Sequence, residues 1–235
     1  MEIPVLPDTL AASVPVAEYL DRLTAALGPH GFEPGNTQVA LSICRDEMTQ
    51  QFSHEVEMRW GPAFAIGGLG GFPSSGSTGW AACLSHVPDQ GRGMLLAIGL
   101  AHIGVEPDGS TGTYHRPWMA GSAPTCGALG AILHSWHEGL PGEDLSDHEL
   151  HTLRTALEAE GGRPEDMLDA TRVTARRILQ LLVEQISELE PWERMDVAVF
   201  AGIQAHTPAG VGTGDRILHS GGGLLDAGGL TEIAI

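Results

Sequence analysis

Residues 94–104 read MLLAIGLAHIG, and this stretch decides the fold. Met94 to Leu100 is a continuous apolar run that reads as a buried strand, delivering Ala101-His102-Ile103-Gly104 at its exit. Two further runs share its character: Gln38 to Ile43 (QVALSI), which ends at Cys44, and Val197 to Ile203 (VAVFAGI). Strands of this kind separated by helical segments give an α/β fold, with a mainly parallel central sheet flanked by helices. Neither an internal repeat nor a linker divides the chain, so residues 1–235 read as a single domain.

The segments between the strands carry helical spacing. Residues 13–27 place Val14, Val16, Leu20, Leu23 and Leu27 on one face and stop at Gly28-Pro29. The segment from Arg45 to Trp60 reads as a helix broken at Gly61-Pro62. Residues 64–79, FAIGGLGGFPSSGSTG, are too glycine-rich for regular structure, and 105–125 read as a polar loop. A helix is expected to start at Cys126. Ser146-x-x-Glu149 forms a capping box for another helix, ending at Gly161-Gly162, and 164–189 gives the strongest helical pattern, opening at Pro164. Beyond Ile203 the reading is a glycine-rich tail.

Composition narrows the function. The 235 residues are 42% apolar and carry a formal charge of −18, which argues against nucleic acid and against anionic membrane surfaces as partners. All 12 basic residues are Arg, so Schiff-base chemistry and a phosphate-loop lysine are excluded. Gly71 to Thr78 copies the spacing of a phosphate loop but has Ser77 where the lysine belongs, which removes its main electrostatic attraction. An odd count of 3 cysteines fits a reducing compartment. With neither a basic leader nor a long apolar run, a cytoplasmic protein is expected.

Chemistry concentrates at predicted strand ends. Cys44 and Asp46 follow one strand, His102 leaves another, and Cys126 opens a helix whose amino end favours a thiolate. Two thiolates and an imidazole form a zinc ligand set that leaves a fourth position for water. The same residues read equally as buried packing cysteines and a hydrogen-bonded core histidine. Cys83-x-x-His86 offers rival ligand spacing, although the apolar WAACL around Cys83 favours packing, and the histidines at 134, 137, 148 and 151 read as surface residues of helices.

Several strings in this chain resemble one family. Cys44-Arg45-Asp46-Glu47, GGLGGFP at 67–73 with Gly76-x-Thr78-Gly79, His86-Val87-Pro88-Asp89, His102-Ile103-Gly104, His115-Arg116 and Cys126-Gly127-Ala128 occur in the order seen in the limiting-CO2-inducible B/C family, the theta class carbonic anhydrases. Gly202-Ile203-Gln204 is similar to that family's closing motif, whereas 140–190 carries no matching motif. The resemblance implies a fold similar to beta class carbonic anhydrases and a zinc held by Cys44, His102 and Cys126. It further implies a catalytic pair of Asp46 and Arg116, and a homodimer. The beta class pattern C-x-D-x-R is not met, because Met48 stands in the Arg place.

The implied activity is reversible hydration of CO2 to bicarbonate. Zinc lowers the pKa of bound water toward about 7 and so supplies hydroxide for attack on CO2. Two thiolates offset the metal's charge, and activity is therefore expected to rise toward alkaline pH. Asp46 would orient the nucleophile, Arg116 would keep Asp46 ionised and off the metal, and His115 and His206 are candidate proton carriers. Arg45 and Glu47 are expected to face away into structural pairs. The rival readings are a zinc-containing scaffold of the same family without hydratase activity, and a redox thiol protein, against which the lack of a CxxC motif argues.

Overall fold

The computed structural model describes residues 6–89, 91–116, 118–139, 146–160, 163–207 and 214–235. A central sheet is built in the order β1 (Val14–Pro15), β8 (Arg216–Asp226), β7 (Met195–His206), β4 (Gly93–Gly104), β2 (Thr37–Ile43), β3 (Phe64–Ala65), with β9 (Gly229–Glu232) added along β8. Its middle is parallel: β2, β3, β4 and β7 all run the same way. Both β4 and β7 are 12 residues long and pair along their whole length, with almost every position buried. His102 therefore lies inside β4 rather than beyond its exit.

The apolar runs are central because helices cover both faces. On one face, α1 (Val16–Leu27) buries Val16, Tyr19, Leu20, Leu23 and Leu27, and α2 (Gln50–Trp60) buries Phe52, Val56 and Trp60 at four-residue spacing. On the other face pack α3 (Gly76–Leu84), α4 (Gly127–His137), α5 (His148–Ala159) and α6 (Met167–Ser187). The long helix α6 lies so close to the sheet that a Cβ on Gly99 of β4 would sit 2.2 Å from Ile178 Cγ2. Burying one such Ile or Leu side chain contributes about 1.5–3 kcal/mol, and α6 buries Ile178, Leu182 and Ile186 in a row.

Five sequence expectations change in detail. Val14 leaves the first helix and pairs as β1 (Val14–Pro15), because a residue before proline is pushed to extended backbone. The glycine-rich segment ends in α3, where Trp80, Cys83 and Leu84 anchor the helix by burial and Trp80 Nε1 donates to Gln185 Oε1 at 2.7 Å. The loop 105–125 contains a hairpin of β5 (Thr113–His115) and β6 (Ser122–Pro124), strands too short to show a period. Helix α5 is capped by Asp147, whose carboxylate accepts from Leu150 N at 3.1 Å, one residue beyond the expected Ser146; its expected stop at Gly161-Gly162 lies outside the described residues.

The glycine-rich tail is the fifth and largest change. It forms β8 (Arg216–Asp226) and β9 (Gly229–Glu232), both antiparallel additions to the parallel core. Glycine is required where strands approach closely: a Cβ on Gly222 would meet the Val199 carbonyl at 2.3 Å, and one on Gly223 the Thr231 carbonyl at 1.9 Å.

Candidate metal centre

Three elements bring Cys44, His102 and Cys126 together at the carboxyl ends of β2 and β4. Cys44 follows β2 directly, in a loop held by its own side chains. Thr49 Oγ1 donates to the carbonyls of Cys44 and Asp46 at 2.8 and 2.9 Å, and Met48 N donates to Asp46 Oδ1 at 3.1 Å. Cys126 is the residue before α4 and sits at φ 56°, ψ 75°, in the left-handed region. A non-glycine residue there costs about 1–3 kcal/mol, the kind of strain that functional sites store. Gly104 lets the hairpin side approach, since a Cβ would lie 2.2 Å from Thr125 Oγ1 and 2.3 Å from the Thr113 carbonyl.

The two sulfurs and a ring nitrogen of His102 all lie within 4.8 Å of one another, and all three residues are buried. Among the described residues this is the one such group of His, Cys, Asp or Glu. A hydrogen bond from Cys126, reinforced by His102 and the backbone of Asp46 against the opposing effect of burial, draws the Cys44 thiol down to about 3. Cys126 moves the opposite way, well above an ordinary thiol, because it donates to Cys44 and is buried. Metal binding by two such thiols requires their deprotonation, and a divalent cation would displace the proton between them.

His102 completes the fit. Its Nδ1 lies 3.1 Å from His206 Nε2, while its Nε2 is buried without a hydrogen-bond partner. An orphaned buried polar atom costs about 1–3 kcal/mol unless something binds it. A soft donor set of two sulfurs and one imidazole nitrogen, with that nitrogen unsatisfied, fits zinc. The set leaves room for a non-protein fourth ligand, as a catalytic site requires.

Asp46 and Arg116 are also adjacent. Arg116 Nη2 stands 3.3 Å from Asp46 Oδ2 and 3.5 Å from Oδ1, with the two side chains 9% and 12% exposed. Glu47 does not face away: its Oε1 takes the shorter contact, 2.6 Å to Arg116 Nε. That hydrogen bond holds the Glu47 carboxyl below the usual range. Burial opposes the Arg116 charge, but Glu47 and Asp46 outweigh it and keep the guanidinium firmly protonated. Arg45 does form a structural pair, bidentate to Glu149 at 2.6 and 2.9 Å, and Glu149 also accepts from Leu69 N at 3.2 Å. A cleft of about 210 Å³ bordered by Ile43, Cys44, Arg45, Gln50 and Gly67 reaches this loop.

Residues 13–215 match the family model of limiting CO2-inducible proteins B/C, beta carbonic anhydrases. The chain belongs to this family. Among solved structures, it is similar to PtLCIB4, a homologue of the limiting CO2-inducible protein LCIB, at 25% identity and TM-score 0.80 over 95% of both chains. It is likewise similar to LCIB itself, at 27% identity and TM-score 0.76 over 95% of this chain and 94% of that one. A comparison with the curated proteins finds no match.

The remaining candidates of this family member do not ligate at the centre. Cys83 is buried in α3, its thiol pushed up to about 12 by burial, and His86 packs against the Phe64 ring, so Cys83-x-x-His86 is not a ligand pair. Gly71 in the phosphate-loop-like string serves packing, because a Cβ there would meet the Leu100 carbonyl at 2.2 Å. His115 is exposed on β5, whereas His206 is buried behind His102 and is not a solvent-facing carrier. Burial keeps His206 below the usual histidine range against the pull of Asp215. Asp215 escaped the sequence analysis, and Gln204 appeared there only within the closing motif, without a role. The available signal was the pair of polar residues at 204 and 206 in an otherwise apolar strand.

Proposed function

We propose that this protein is a zinc-dependent carbonic anhydrase catalysing CO2 + H2O ⇌ HCO3⁻ + H⁺. The observation that carries the reading is the buried convergence of Cys44, His102 and Cys126, with an unpartnered His102 nitrogen, beside an Asp46 ion-paired to Arg116. Zinc held by these three residues would supply Lewis acidity that activates water for attack on the carbon of CO2. Asp46 accepts the hydrogen bond of the reacting water and so orients its lone pair. Arg116 holds that carboxylate in a charge-assisted pair, with Nη2 3.3 Å from Oδ2. The proton released must leave by way of buffer or a mobile carrier, since His206 is sealed from solvent.

One observation favours the second reading, a zinc-containing member without hydratase activity. Arg116 is shared, and its contact with Glu47 is shorter than either contact with Asp46. Stopped-flow CO2 hydration by zinc-loaded protein, by stripped protein and by stripped protein re-supplied with zinc decides between them. The carbonic anhydrase reading expects activity, its loss and its return; a loaded protein that never exceeds the buffer rate leaves the scaffold. The proposal extends to a single domain, a homodimer and a cytoplasmic location. Both core clusters share one sheet and the cysteines are free, which supports the first and the last. No described helix is long and apolar enough to cross a membrane.

A further inference from the structure

Behind the metal centre lie three polar residues that the reaction above does not use. Gln204 and His206 are 0% and 1% exposed, and the Asp215 side chain is 12% exposed. The register of β4 on β7 pairs His102 with Gln204 and Gly104 with His206, so His102, Gln204 and His206 emerge on the same face. The antiparallel return of β8, which pairs Ala205 with Arg216, brings Asp215 back to this end of β7. Asp215 Oδ2 is 3.0 Å from His206 Nδ1 and accepts from Gln204 Nε2 at 2.6 Å. His206 Nε2 is in turn 3.1 Å from His102 Nδ1.

With the Asp215 carboxylate as its accepting end, the hydrogen-bonded chain runs one way, each ring donating toward Asp215. A carboxylate only accepts, so the His206 proton is on Nδ1 and its Nε2 offers a lone pair. In that direction His102 donates from Nδ1, and Nε2, buried and without a hydrogen-bond partner, is the ring atom turned to the sulfurs. Gln204 donates to the same Asp215 oxygen that meets His206, so the carboxylate, and with it the His206 ring, is held from β7 itself. We infer that Gln204, His206 and Asp215 form a positioning relay that holds His102 in the Nδ1–H tautomer, presents Nε2 to Cys44 and Cys126, and thereby sets the tightness of cation binding. The inference rests on the metal-site reading above. Outer partners of a ligating histidine typically contribute about 10–100-fold to metal affinity.

The test uses the full chain and two readouts. In metal-free protein, long-range ¹H–¹⁵N NMR of the His102 ring reports its tautomer without any metal. The relay predicts protonated Nδ1 in the parent and loss of that single state in His206→Leu. Zinc affinity, measured by chelator competition, should fall about 10–100-fold in His206→Leu and Asp215→Asn. His206→Gln, whose amide oxygen can still accept from His102 Nδ1, should recover most of it. Thermal unfolding of each metal-free variant separates a lost fold from lost positioning. Should His206→Leu fail to fold, the parent tautomer and Asp215→Asn still decide. An Nε2–H tautomer in the parent, or unchanged zinc affinity in folded variants, overturns the relay. A parent that binds no zinc while showing the Nδ1–H tautomer overturns the metal reading and its consequence for affinity, and leaves the tautomer assignment supported.

Discussion

Arg116→Gln isolates the half of the site that does not touch the cation. The Arg116 and Asp46 side chains are 9% and 12% exposed, so the substitution strands Asp46 in a nearly dry position without its counter-charge. Removing one partner of a fully buried pair costs about 3–5 kcal/mol. Here the contact is 3.3 Å, longer than a strong charge-assisted bond, and Asp46 keeps the Met48 N–H; about 2–3 kcal/mol is therefore expected. Glu47 contributes only about 0.2–1 kcal/mol of this, because its side chain is 54% exposed. Urea unfolding of metal-free protein reads the loss as a midpoint about 1 M lower at unchanged slope. Zinc content should be retained while CO2 hydration falls, because Asp46 is free to turn. Glu47→Gln is the contrast: it should cost under about 1 kcal/mol and leave hydration intact. If Arg116→Gln costs no more than Glu47→Gln, Arg116 is not serving Asp46 and the assignment of the pair is wrong.

Asp46→Asn should retain zinc yet lose most hydration in stopped flow; unchanged turnover would remove Asp46 from the mechanism. Cys83→Ser should keep its zinc but lose about 1–3 kcal/mol in denaturant unfolding, since a hydroxyl replaces a thiol in an apolar position at 0% exposure; loss of metal would mean that the wrong thiol was chosen. Gly99→Ala drives a methyl into Ile178 and should cost about 1–3 kcal/mol by the same assay, with no effect if α6 can withdraw freely. For Glu47, whose folded pKa is depressed by Arg116, the stabilisation is complete above its unfolded value near 4.5 and is lost as pH falls through the lower folded value. The acid limb of stability against pH should flatten in Glu47→Gln, and an unchanged limb would show that Arg116 does not hold this carboxyl.

The parallel heart of the sheet was legible because QVALSI, MLLAIGL and VAVFAGI are apolar on both faces, a pattern that only doubly covered strands sustain. The metal centre was legible for a related reason: Cys44 and His102 follow the first two of those runs, and Cys126 stands at a helix start. What stayed hidden depends on pairing rather than on pattern. Strand β8 carries Gly222 and Gly223, residues of poor strand propensity whose value is that they let β7 and β9 approach. Without β8 there was no route from Asp215 to His206, and His206 read as a surface carrier. The direction of Glu47 was likewise set by the hairpin of β5 and β6, which delivers Arg116 across 69 residues of sequence. The left-handed backbone of Cys126 leaves no mark in the sequence, since such a conformation usually calls for glycine.

X-ray absorption at the zinc edge, on purified protein with its metal content measured on the same sample, bears most directly on the centre. One zinc per chain with a shell of two sulfurs at about 2.3 Å and two lighter atoms near 2.0 Å, reduced by one sulfur in Cys44→Ser and in Cys126→Ser, is the predicted result. A sulfur-free shell, or a spectrum that neither substitution changes, would contradict it.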